Sequence, residues 1–273
     1  MNGGKYSKRE PHPPESESSE FWERQWDEQE RGMRVPAAMF LVVLVTLLVV
    51  AGRFSSPVLV SVLGIWLMIG RGNVLVRCLV TVSAVWILGR VSGSGDATAV
   101  LVACTALSAM TTSVAGAFVS HLFQGPTRWA QFSLWDMGSY LLAFGMGVAL
   151  VREDMQALTS QNRVPWVGIF AIATLCVNIV VASLPVFVPK RYREGSLFLV
   201  SAALVLFVLP LLEGAFLHAF LFVPNLNLLA QLPIVHVIGA VLVWTLVFTL
   251  ETAGGFVDDT RPRQEEERLE GTA

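Results

Sequence analysis

The chain has 273 residues, of which 54% are hydrophobic and only 15% charged, with a formal net charge of −2 at pH 7. Soluble domains average about 45–50% apolar and about 25% charged residues, so this balance argues against one and for a polytopic membrane protein. No basic cluster with interleaved aromatics marks a nucleic-acid partner, and Cys78, Cys104 and Cys176, each inside an apolar run, imply no disulfide framework or zinc ribbon.

Residues 1–34 form a polar tail. Pro11, Pro13, Pro14 and the acidic, serine-rich Glu15 to Glu20 cannot bury enough apolar surface to fold alone. From Glu20 onward, Trp22, Trp26 and Met33 fall close to one side of a helix, which predicts a segment lying on the membrane surface. The alternative is a solvated tail with two tryptophans at headgroup level. The first apolar run follows this long tail without a cleavage-site pattern, so it is expected to stay as the first span.

Apolar runs follow at 35–52, 56–70, 74–89, 97–123, 132–151, 164–188, 196–212 and 232–250. They predict an all-α polytopic membrane helix bundle of about eight transmembrane helices within residues 35–252. The second and third spans are short and joined only by Arg71, Gly72 and Asn73, which predicts a tight hairpin whose mismatch is taken up by local thinning or flanking side chains. In the segment Glu213 to Gln231 the apolar part is too short to cross, so an interfacial or re-entrant piece is expected. Pro185 and Pro210 are positioned to kink or end the sixth and seventh helices. Residues 253–273 read as a charged tail, with Asp258 to Ala273 disordered.

Lys and Arg beside the spans set the orientation. With the N-terminus cytoplasmic, eleven flank the inner side, Arg71, Lys190, Arg191 and Arg193 among them, against Arg53, Arg90, Arg152 and Arg163 outside. Both termini are therefore expected in the cytoplasm, with the chain in the cell membrane and the bilayer as its first partner. A homo-oligomer or a membrane-protein partner is also compatible.

The fourth span looks like the centre of the bundle. No Asp, Glu, Lys or Arg occurs between Asp96 and Arg128, and Ser108, Thr112, Gly116 and Ser120 recur four apart on one face. Small residues in that spacing let helix backbones approach closely in lipid. Ser139, Ala143 and Gly147 place a second such stripe on the fifth span, making it a natural neighbour.

Ionisable groups at membrane depth are costly and are functional candidates by default. Arg77 and Asp136 lie at similar depth and could form an intramembrane ion pair; otherwise Arg77 snorkels and Asp136 bonds a hydroxyl such as Tyr140. Glu213, His218 and His236 all fall toward the outer side, as a possible metal or proton site. Two imidazoles and a carboxylate are a catalytic zinc ligand set and also suit proton relay. Glu213 and His218 would stand about 140° apart on a continuous helix, so sharing one ion requires a break. Without it, all three are separate interface residues satisfied by water or headgroups. His121 and His236 lie at opposite depths and cannot ligate one haem. Asn178 reads as polar glue between helices, and Glu251 as a solvated helix end.

Gln131 to Asp136, Gln-Phe-Ser-Leu-Trp-Asp, resembles the openings of spans in bacterial multi-pass membrane proteins, a resemblance that implies no activity. Two functions are therefore expected. The favoured one is non-enzymatic, in small-solute transport or membrane assembly, with no cofactor. The alternative is a metal-dependent membrane enzyme or metal handler holding zinc on Glu213, His218 and His236.

Overall fold

The computed structural model describes residues 32–49, 55–91, 95–123, 138–143, 145–147, 149, 166–220 and 226–256. Among these residues the chain is all-helical, with no β-strand and one isolated bridge between Gly70 and Phe256. The helices are α1 (Gly32–Val49), α2 (Ser56–Ile69), α3 (Val74–Val91), α4 (Gly95–Phe123), α5 (Trp166–Ala182), α6 (residues 195–220) and α7 (Leu226–Thr252). Residues 138–143 are also helical and belong to the predicted fifth span, half of which lies outside the described residues, as does the start of the surface segment at Glu20. Five helices, α1, α3, α4, α6 and α7, are long and apolar enough to cross a membrane, while α2 and the apolar part of α5 are shorter.

The helix most enclosed by protein is α2 rather than α4. Eleven of its 14 residues are buried, Val60 and Ile65 completely. By contrast α4 buries only the face carrying Leu101, Cys104, Ser108, Thr112 and Val119, and exposes Met110, Val114, Phe118 and Leu122. The length of α2 follows from this position. At 1.5 Å per residue it rises about 21 Å, well under a hydrocarbon core of about 30 Å. A helix sheathed by other helices need not match the bilayer, provided protein groups satisfy its ends. Ser55 and Ser56 open it, with Pro57 in the first turn where no N–H is needed, and the Ser55 hydroxyl donates to the Leu48 carbonyl. At its other end the Arg77 guanidinium Nη1 donates to the Leu67 carbonyl at 2.6 Å, and the Tyr140 hydroxyl donates to the same oxygen at 3.2 Å.

Close approach of α2 to α4 depends on Gly64. A β-carbon there would stand 2.7 Å from the Thr105 carbonyl oxygen and 3.0 Å from the Ser108 β-carbon. The small-residue stripe of α4 thus faces α2 at Ser108, and Thr112 and Gly116 are also buried. Of the second stripe, Ser139 and Gly147 are buried and Ala143 half-buried, with Gly147 against Val102 of α4.

Two expected breaks resolve differently. After Ala182 the α5 helix stops, and Pro185 sits in a short 3₁₀ turn, Leu184–Phe187. Pro210 ends nothing: Gly195–Ala203, the π-helical turn Leu204–Val208 and Leu209–Phe220 run on as one helix. The wider turn hands over to Leu209 one residue before the proline, so the missing N–H falls in the first turn of the resumed helix. The expected interfacial or re-entrant piece is therefore corrected as far as Phe220, because Ala215 to Phe220 simply lengthens α6.

One end of the bundle collects the starts and turns of several helices. The Arg71 N–H donates to the Gly255 carbonyl at 2.8 Å, the Trp66 indole donates to the same oxygen at 3.0 Å, and Arg34 lies against Gly254. Gly72 and Gly254 take positive φ, 107° and 81°, at the two turns that meet there. Glu251, expected as a solvated end, is instead buried. Both of its oxygens accept from Arg193, at 2.8 and 3.1 Å, and Arg193 also donates to the Val188 carbonyl at 3.0 Å and lies over the Phe248 ring. The 183–194 turn folds over the end of α7 and removes its last carboxylate from solvent.

Candidate functional site

Between α5, α6 and α7 the structure gathers four polar side chains in an apolar setting. Thr174 and Asn178 are four residues apart on one face of α5. Glu213 stands on α6, seven residues before Phe220, and His236 on α7, ten residues after Leu226. At 1.5 Å per residue both lie about 10–15 Å inside their helices, so neither is at a helix end as the apolar runs imply.

The contacts form a chain. The Thr174 hydroxyl lies 3.2 Å from Glu213 Oε1, Glu213 Oε2 lies 3.2 Å from His236 Nε2, and Asn178 Nδ2 lies 2.7 Å from the same Nε2. The imidazole and carboxylate side chains are 5% and 14% exposed. That burial matters, because charges on this pair would be weakly screened and costly to desolvate. Glu213 Oε2 has no well-directed hydrogen bond despite its approach to the ring. One turn away from this chain, on the side of α5 and α6 that leads to Trp166 and Phe220, the rings of Phe170 and Phe216 stack at 4.4 Å.

A single proton decides which contacts the ring nitrogen makes. With a proton on Nε2 the ring donates to the Glu213 carboxylate; without one, Nε2 accepts from the Asn178 amide. Asn178 serves either state, since its amide offers an NH₂ donor or, turned over, a carbonyl acceptor. The arrangement can therefore take up, hold and release a proton, with the single Thr174 hydroxyl proton shared between the Phe170 carbonyl at 3.0 Å and the far carboxylate oxygen at 3.2 Å.

His218 does not join. The helix is continuous from Leu209 to Phe220, so His218 points away from Glu213, and its side chain is exposed. Among the described residues no three His, Cys, Asp or Glu side chains group as a metal site would require. His121 is exposed near the end of α4. Arg77 is buried and bonded to backbone carbonyls; its proposed partner Asp136 lies outside the described residues. The Cys176 thiol donates to the Cys104 carbonyl at 3.5 Å and contacts the Ser61 hydroxyl. Reading the sequence missed Thr174, although its spacing of four from Asn178 is a usable signal. A scan against family models, a search of curated proteins and a search of solved structures each find no match to this chain.

Proposed function

We propose that this is a multi-pass integral membrane protein of non-enzymatic function, a small-solute transporter in which Glu213 and His236 form the proton-binding element. The observation that carries this reading is the buried contact of Glu213 with His236 inside three apolar helices. Ionisable groups at such depth are costly to keep and recur in proton relays and coupled transport. Zinc on Glu213, His218 and His236 has less support, since His218 faces away on an unbroken helix.

We place both termini in the cytoplasm and the chain in the cell membrane, with about eight spans. The excess of Lys and Arg at the ends of Arg34, Arg71, Lys190 and Arg193 supports that orientation, as does the meeting of those segments with residues 251–256 at one end of the bundle.

The test uses the full chain in liposomes loaded with a pH-sensitive dye and exposed to a panel of small solutes. The expected result is a solute-dependent proton flux in the wild type that falls at least tenfold in Glu213→Gln and in His236→Gln. A flux unchanged in both variants, or none with any solute while the protein binds a stoichiometric transition metal, would overturn the reading.

A further inference from the structure

The three cysteines of this chain are not equivalent. Cys78 stands on α3, whereas Cys104 of α4 and Cys176 of α5 come together where those two helices pack on α2. At 1.5 Å per residue, Cys104 lies about 14 Å from the start of α4 and Cys176 about 15 Å from the start of α5, so the pair sits deep in the bundle. Both side chains are fully enclosed. The Cys176 thiol reaches the Cys104 carbonyl at 3.5 Å, and the two thiols also meet each other. Cys176 is two residues from both Thr174 and Asn178, which puts it on the opposite face of α5 from the Glu213 chain.

Two hydroxyls are turned to the same sulfur. Ser61 Oγ of α2 lies 3.9 Å from Cys176 Sγ, and the Ser108 hydroxyl of α4 approaches that sulfur without a well-directed hydrogen bond. A helical serine or threonine ordinarily gives its proton to a carbonyl one turn back. Thr105, Thr111 and Ser113 of α4 do so, at 2.8, 2.7 and 3.0 Å. Ser61 and Ser108 do not, although neither has exposed surface from which to reach water. Two O–H groups held off their own helices and aimed at one sulfur favour its anionic form, and the thiolate is the form that binds metal.

We infer that Cys104 and Cys176 form a two-coordinate site for a soft monovalent cation, Cu(I), with Cys176 as the thiolate and Ser61 and Ser108 as hydrogen-bond donors to its sulfur. On binding, the Cys176 S–H proton leaves and a sulfur–copper bond takes its place, while the Cys104 thiol contributes a lone pair and keeps its proton. Copper stays Cu(I). One positive charge replaces another, so the filled site is as neutral as the empty one, which is the condition that apolar surroundings impose. The ligand set selects the ion. Soft sulfur favours Cu(I), and with no third His, Cys, Asp or Glu beside the pair among the described residues, Zn(II) is left short of the four ligands it takes.

The experiment titrates the reduced full chain in detergent, without oxygen, against Cu(I) held by bicinchoninate, and in a separate arm against Zn(II). The expected result is one Cu(I) taken from the probe per chain and no Zn(II). Cys104→Ser and Cys176→Ser should each abolish uptake, while Cys78→Ser should leave it unchanged. Ser61→Ala combined with Ser108→Ala spares both sulfurs and should weaken Cu(I) by about tenfold, the scale of losing groups that support a metal ligand. X-ray absorption at the copper edge of the wild type needs no variant and should show two sulfur neighbours. No uptake by the folded wild type, uptake that survives either Cys104→Ser or Cys176→Ser, equal loss in Cys78→Ser, an affinity unmoved by the serine pair, one Zn(II) bound in place of copper, or copper without sulfur neighbours would each overturn the inference.

Discussion

Two acid–base pairs in this bundle have opposite designs. Arg193 and Glu251 form a forked, two-bond pair, and Arg193 is further tied to the Val188 carbonyl and the Phe248 ring. Glu213 and His236 touch through one nitrogen and one oxygen, and the carboxylate oxygen involved has no well-directed hydrogen bond. The first pair uses a cation that never loses its proton, so it has a single state and works as a clamp. The second uses the side chain whose proton is most readily exchanged near neutral pH, and its geometry leaves room for two states. A clamp needs every bond made; a proton site needs one bond that changes.

The largest effect should come from breaking the clamp. Glu251→Ala leaves Arg193 charged and enclosed with two of its three hydrogen bonds lost, and removing one partner of a buried pair costs about 3–5 kcal/mol. Thermal unfolding in detergent should show a large fall in midpoint, with the 183–194 turn becoming accessible to protease. A variant as stable as wild type would mean the pair does not hold this end together.

Next comes Glu213→Gln, where the contrast is sharpest. Glutamine keeps the shape and can still meet Thr174 and His236, and the ring is left neutral rather than stranded with a charge. Stability should change by no more than about 1 kcal/mol, the net worth of an ordinary hydrogen bond, while proton flux is lost. Unfolding of this variant on the scale of Glu251→Ala would make the pair a second clamp. Thr174→Val is smaller again: loss of a hydroxyl shared between the Phe170 carbonyl and the far carboxylate oxygen should cost about 1 kcal/mol or less and shift the pH profile of transport without abolishing it.

How much of this was legible in the sequence depends on the kind of information each residue carries. Apolar runs located every described helix, because a bilayer-facing helix is marked along its whole length. The centre of the bundle was read less well. Small residues on α4 mark where helices approach, yet the helix enclosed there is α2, whose Val, Leu and Ile side chains look the same facing lipid or protein. Glu251 was misread for a related reason: position at a span's end indicates access to water, and only the fold of the 183–194 turn removes it. Glu213 and His236 stood out as charges at similar depth. Thr174 did not, and Asn178 was read only as glue between helices, since hydroxyls and amides are common in membrane helices as packing groups.

His218 provides the smallest effect and the cleanest control. It shares α6 with Glu213, is equally ionisable, and belongs with Glu213 and His236 in any reading based on composition alone. The unbroken helix turns it about 140° from Glu213, to an exposed position. An exposed side chain in the last helical turn, away from cavities and buried partners, changes stability by no more than about 0.5 kcal/mol when truncated. His218→Ala should therefore leave unfolding, metal content and proton flux as in the wild type, whereas His236→Ala should abolish the flux. Equal losses from the two substitutions, with a bound metal disappearing in both, would show that the two imidazoles act on one ion after all, and that α6 breaks between residues 213 and 218 in the working protein.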